Sequence, residues 1–229
     1  AFQYASRVEN LDFLAITDHS NSFDAEASGV LSQDGSAVSS EWKQGHEAAE
    51  AVTDGDFVGL YGFEMTWSNG LGHINTFNTP GWQSRTQSAY STKTATDLIN
   101  YFGTLATVPA SISQFNHPGT TFGDFTDFSY YSETNDALIT LIEVGNGEGP
   151  IPSAGYFPSY EQYTMALDKG WHLAPTNNQD NHKGKWGNAN DARDVVLTDD
   201  FSEEGIYEAI RAYRVYATED KNLEIGYTV

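Results

Sequence analysis

Short, uninterrupted apolar runs that close on an acid, a histidine or a glycine turn constrain this chain more than any other feature of its sequence. Phe13-Leu14-Ala15-Ile16 leads through Thr17 into Asp18-His19, and reads as a strand buried on both faces. Similar strands are expected over residues 57–67, 72–78, 111–117, 138–144, 173–180, 194–197 and 215–218. Between them lie stretches with helical spacing at 40–52, 94–105, 160–169 and 202–213. Thr94 or Thr96 is placed to cap the second of these, Gly170 ends the third, and Glu203-Glu204 gives the fourth an acidic first turn. Strands alternating with helices predict an α/β chain with a parallel sheet or barrel under helices. Residues 20–40 and 147–157 are loops, and in such folds loops after strands carry the chemistry.

Composition narrows the functional classes. A formal charge of −21 repels phosphate backbones and anionic membranes, so a nucleic-acid partner is not expected. With no cysteine, disulfides and thiolate metal sites are excluded, and any metal must be held by imidazole and carboxylate. The apolar runs are too short to span a bilayer. An acidic, Cys-free chain rich in Tyr, Asn, Ser and Thr suggests an extracellular or cell-surface setting of the Gram-positive kind rather than the cytoplasm. Residues 1–9 read as the tail of a helix with no strand before it, and 222–229 as a strand without a partner. The expectation is a fragment: one domain over 1–221, with 222–229 opening a further strand or domain.

The informative polar residues share one kind of position, at or just beyond a strand's C-terminal end. They are Asp18-His19, Glu64, His73, Asn116-His117, Glu143 with Asn146, and Asp180-Asn181-His182. In a parallel sheet those ends open on one face, where histidines and carboxylates converge into an open site for Zn, Mn or Fe. Singly, each has a plain reading: a lone histidine is usually a surface or core residue, and Glu64 or Asp18 could simply cap a turn. His46 and His172 lie outside the pattern and are read as structural. Four of the six histidines at strand ends beside acids are harder to explain that way.

The segments Phe13 to Asn21 (FLAITDHSN), Gly62-Phe63-Glu64-Met65, Gly72-His73-Ile74-Asn75, Asn116-His117-Pro118 and Asp180-Asn181-His182 resemble the polymerase and histidinol phosphatase (PHP) metallohydrolases. They occur in family order, span nearly the whole chain, and look most like the secreted or multidomain branch with carbaryl-hydrolase-like proteins. The resemblance implies a distorted (β/α)7 TIM-like barrel, here truncated at its N-terminal strand, with up to three divalent metal ions (Mn, Zn or Fe). By that match Glu64 bridges two metals, His73 and His117 complete one, His19 and His182 hold a peripheral one, and Asp180 binds the remaining one. The family's first motif, His-x-His, has no counterpart, so fewer metals are expected here and activity of this chain alone is in doubt. Glu64 and Asp180, left without cations, are expected to take up protons or turn away.

The implied activity is hydrolysis of a phosphate ester, small or glycan-linked, by a metal-bound hydroxide, with Asp18, Glu64 and Asp180 as catalytic residues. Asn146, Lys183 and Lys185 are candidate phosphate contacts, although the lysines read equally as a solvated loop. Two alternatives stand beside this: a carbamate, ester or amide hydrolase on the same core, and a non-catalytic binding module that kept the fold.

Overall fold

The computed structural model describes residues 1–8, 10–67 and 70–226. In chain order the elements are α1 (Phe2–Ala5), β1 (Phe13–His19), α2 (Ser40–Glu50), β2 (Val58–Trp67), β3 (Gly72–Phe77), α3 (Ala95–Leu105) and β4 (Ile112–Asn116). Then follow α4 (Phe125–Phe128), α5 (Glu133–Asp136), β5 (Ile139–Asn146), β6 (Phe157–Pro158), α6 (Tyr160–Asp168), β7 (Ala174–Asn178), β8 (Arg193–Val196), α7 (Glu203–Arg211) and β9 (Val215–Thr218). Ser39, Thr94 and Ser202 cap α2, α3 and α7, each hydroxyl accepting from a first-turn amide.

The sheet is mixed, which corrects the all-parallel expectation. It runs β1-β2-β3-β4-β5-β6, with β7 also on β5, as a curled half-barrel. β1–β2, β4–β5 and β5–β7 are parallel, but β3 is antiparallel to both of its neighbours. Only residues 68–71 separate β2 from β3, far fewer than the dozen or so a parallel crossover needs. β8 and β9 form a separate antiparallel ribbon, tied to β7 where Asn177 Nδ2 donates to the Thr218 carbonyl at 3.3 Å. Residues 222–226, expected to enter a strand, are irregular, and 227–229 lie outside the described residues.

Two apolar layers hold this sheet. On its convex face Phe63, Met65, Ile74, Phe115 and Ile142 pack with Trp42 of α2 and Leu98 and Phe102 of α3. Gly59 allows the close approach of α2, because a Cβ there would lie 2.6 Å from the Ala49 carbonyl oxygen. On the concave face Val58, Leu60, Phe77, Ile112, Leu141 and Ala174 receive Ile206, Tyr207 and Ile210 of α7. Each such side chain contributes roughly 1.5–3 kcal/mol on burial, so α7 closes that end of the half-barrel. The polar residues further along the same strands are thereby directed to the other end.

Candidate metal centre

Strand register assembles the site. His19 lies opposite Glu64, Glu64 opposite Asn75, and Asn75 opposite Gln114; one step on, Thr66 faces His73 and His73 faces Asn116. Because β3 runs backwards, His73 reaches this end from the start of its strand, not from the expected C-terminal end.

Glu64 is the hub. Its Oε2 lies 2.8 Å from His19 Nδ1, and its Oε1 lies 3.3 Å from His73 Nδ1 and 3.5 Å from His117 Nε2. Asn116 Nδ2 donates to the same Oε1 at 2.9 Å. Ligand atoms of Glu64, His73 and His117 all lie within 4.8 Å of one another, the three-ligand set expected to be wholly present. The His19 Nδ1 that faces Glu64 is buried without an aligned hydrogen bond, while on His117 it is Nε2 that faces the carboxylate and Nδ1, on the far side of the ring, that is buried with no hydrogen-bond partner among the described residues. Donor atoms gathered this closely suit a divalent cation, and imidazole with carboxylate is an appropriate donor set for one.

A second polar layer braces the hub. Gln114 Nε2 donates to Asn116 Oδ1 at 2.9 Å, while its Oε1 accepts from Thr176 Oγ1 at 3.0 Å. Glu143 is buried and accepts from Asn146 Nδ2 at 3.0 Å and from the His117 backbone amide. His117 and Asp180 are both held at positive φ, +27° and +45°, a cost that non-glycine residues bear mainly where surrounding structure demands it.

The charges follow from packing. Burial opposes ionisation of Glu64, yet His117, His19 and His73 outweigh it and hold its pKa well below the usual range. The expectation that Glu64 takes up a proton is therefore corrected: three imidazoles surround it. Burial works against protonation of His117, but Glu64 and Glu143 prevail and raise its pKa to about 9. His19 is raised by its contact with Glu64. Burial pushes Glu143 up to about 7.

The other sequence candidates divide. His182 stacks near His19 with ring centroids 5.9 Å apart, and its Nδ1 lies 2.9 Å from the Asp180 carbonyl oxygen. Asp180 is close enough for its charge to raise the pKa values of His19, His117 and Glu143. A cavity of about 1170 Å³ over the concave face is lined by His19, Glu64, His117, Asn146, Asp180 and His182 among others. Asp18 also borders it, but its carboxylate accepts from the Tyr61 hydroxyl at 2.8 Å, beside the cluster rather than within it. Lys183 extends into solvent and pairs with Glu148 at 2.5 Å, and neither Lys183 nor Lys185 borders the cavity. His46 packs between Trp42 and Tyr61, and His172 pairs with Asp136 at 2.8 Å, as structural histidines do.

Gln114, Thr176 and Asn178 were not singled out from sequence. Their signal was the period-2 placement of Gln114-Asn116 and Thr176-Asn178 beyond an apolar residue on the same face. Phe122 was also missed. It sits at the tip of a hairpin closed by mutual Gly119 and Gly123 hydrogen bonds, with its ring 4.6 Å from His117 and 5.1 Å from His73, centroid to centroid. Both glycines have positive φ (+154° and +112°), which lets the hairpin turn back so tightly.

A solved structure from Bacteroides vulgatus, a two-domain protein containing a predicted PHP-like metal-dependent phosphoesterase, superposes on 95% of this chain with a TM-score of 0.57 and 20% identity. The mixed α/β half-barrel is compatible with a PHP-like fold. The chain spans 60% of the length of that two-domain protein. No family model matches the sequence, and no curated protein matches it. Within this fold, Glu64, His73 and His117 form a candidate divalent-metal site.

Proposed function

We propose that this PHP-like chain is a metal-dependent phosphoesterase whose metal ligands are His19, Glu64, His73, His117, Asp180 and His182. The observation that carries this reading is the convergence of three imidazoles on one buried carboxylate. When bound, a divalent cation (Mn, Zn or Fe) supplies Lewis acidity and makes a water acidic enough to attack at neutral pH. The chain's own groups do the rest. Glu64 stays ionised among the imidazoles and would supply the negative charge that holds a cation. Asn116 fixes the orientation of that carboxylate by donating to Oε1. Glu143 holds the His117 backbone through its amide, and Gln114 ties Asn116 to β7 through Thr176. Asn146 borders the cavity and is the polar candidate for substrate contact. Small or glycan-linked phosphate esters are the proposed substrates, and the acidic, Cys-free composition favours an extracellular or cell-surface setting.

A second reading, hydrolysis of an aryl carbamate or ester, is favoured by the half-exposed Phe122 ring against His73 and His117. Metal titration of the protein followed by assays on p-nitrophenyl phosphate, its bis-ester and an aryl carbamate tests both. Metal-dependent turnover of the phosphates supports the first reading, and turnover of the carbamate alone supports the second. Absence of metal uptake at Glu64, His73 and His117 defeats both and leaves a binding module that kept the fold.

A further inference from the structure

Residues 179–192 carry Asp180 and His182, yet they form neither helix nor strand. Irregular backbone has no ladder to fix it, so its position rests on the side chains that tie it down. Asp180 adds a demand of its own, because a φ of +45° persists only where the surroundings hold it. The exposed ion pair between Lys183 and Glu148 is one tie, and such pairs are too well solvated to hold a loop firmly. Asn190 is another, of a different kind.

The part-buried Asn190 side chain uses its whole hydrogen-bonding capacity. Its Nδ2 donates to the Gly147 and Gly149 carbonyl oxygens at 2.8 and 2.9 Å. Its Oδ1 accepts from Gln179 Nε2 at 3.2 Å and from the Ala192 amide at 3.1 Å. Gln179 Nε2 also reaches the Asn190 carbonyl oxygen at 3.3 Å, and Gln179 Oε1 accepts from the Ala189 amide at 3.4 Å. The Gly147 amide in turn donates to the Asn178 carbonyl oxygen at 3.0 Å. One amide thus joins the end of β5 just past Asn146, the end of β7 just before Asp180, and the start of β8. Gln179 is covalently next to Asp180, whose carbonyl oxygen lies 2.9 Å from His182 Nδ1, so the clamp is passed on to both. None of these bonds touches Glu64, His73 or His117, which lie on or beside the strands that register aligns.

We propose that Asn190 is a positioning residue: by holding Gln179 against the Gly147–Gly149 turn, it sets Asp180 and His182 in place beside His19. Its importance for metal binding rests on the reading of Asp180 and His182 as ligands, whereas the clamp itself does not. Outer partners that orient metal ligands govern affinity without touching the ion.

The test starts from the metal-free protein, in ¹H–¹⁵N spectra of its backbone amides and histidine rings. In Asn190→Ala the Asp180 amide and the His182 ring shift, whereas the His73 and His117 rings stay in place. Gln179→Met keeps the bonds to Gly147 and Gly149 and shifts the same two signals, so it bears the test if Asn190→Ala fails to fold. With Zn²⁺ added, the concentration that shifts the His182 ring rises by about 10-fold to 100-fold in both variants, while that for His73 is unchanged. Asp180 and His182 signals that stay in place in both variants overturn the proposal. So do shifts spread equally over His73 and His117, which would make Asn190 a general support of the fold. A wild-type protein whose histidine rings ignore Zn²⁺ removes the metal-centre reading instead, and the metal-free spectra then decide the clamp.

Discussion

At one end of the concave face Val58 and Leu60 of β2, Ile112 of β4, Leu141 of β5 and Ala174 of β7 close against α7. A few residues further along the same strands and on the same face stand Glu64, Gln114 and Asn116, Glu143, and Thr176 and Asn178. Both ends are packed, but the first is held by non-directional burial and the second by paired polar groups. The difference teaches where tolerance lies. Truncating an apolar side chain at the α7 end costs stability in proportion to the space vacated, whereas removing a polar partner at the Glu64 end leaves a buried charge or dipole without its counterpart.

The largest effect is expected from Glu64→Gln. The amide carries no negative charge, so hydrolysis should fall by on the order of a thousandfold, with metal affinity reduced by more than about 100-fold. Isothermal titration and turnover at saturating metal measure these, and near-normal turnover would remove Glu64 from its central role. Ile206→Ala tests the opposite end. It should cost about 2–5 kcal/mol of folding stability by calorimetry, yet leave turnover at 25 °C within about twofold. Loss of activity in a still-folded Ile206 variant would show that the two ends are not separable.

Proton competition comes next in size. His117 has a folded pKa of about 9, so at neutral pH a cation must displace its proton. Apparent metal affinity should climb by up to about tenfold per pH unit between 6.5 and 9. The metal-free protein behaves in the opposite sense. The raised pKa of His117 gives stability that is fully present below its unfolded value near 6.5, and is lost as pH rises through 9. Acid should thus favour the metal-free fold and alkali the loaded one, as thermal denaturation with and without chelator would reveal. A metal affinity flat from pH 6 to 8 would contradict this.

Phe122→Ala is the smallest perturbation. Its ring is 42% exposed, so stability should change by under about 1 kcal/mol. Its effect should appear as a raised KM for aryl substrates with little change for methyl phosphate. Equal effects on both substrates would make Phe122 a support for the histidines rather than a substrate contact.

Much of this was legible in the sequence because it rests on local periodicity. The strand cores of β2, β4 and β5 and the helices α2, α3, α6 and α7 are written in apolar spacing and capping residues. Strand-end placement singled out Glu64, His73 and His117 one by one, but their grouping as one ligand set was implied only by the family resemblance, and His73 lies at the start of its strand. The reversed direction of β3 was harder to read: alternation along a strand is the same in either direction, and only the four-residue link to β2 argues against a crossover. The two-residue β6 is too short to leave a pattern.

The sequence by itself therefore determined the alternation of elements, the absence of thiol chemistry and the donors available for a metal. Tertiary structure decided which donors meet. Register placed His19 across from Glu64 and His73 across from Asn116, the meeting of imidazoles and carboxylates set Glu64 low and His117 high against the pull of burial, and the β7 loop carried Asp180 and His182 to the same end. The reason is physical: side-chain type is a local property, but distance, desolvation and charge coupling arise only between residues that the fold brings together from far along the chain.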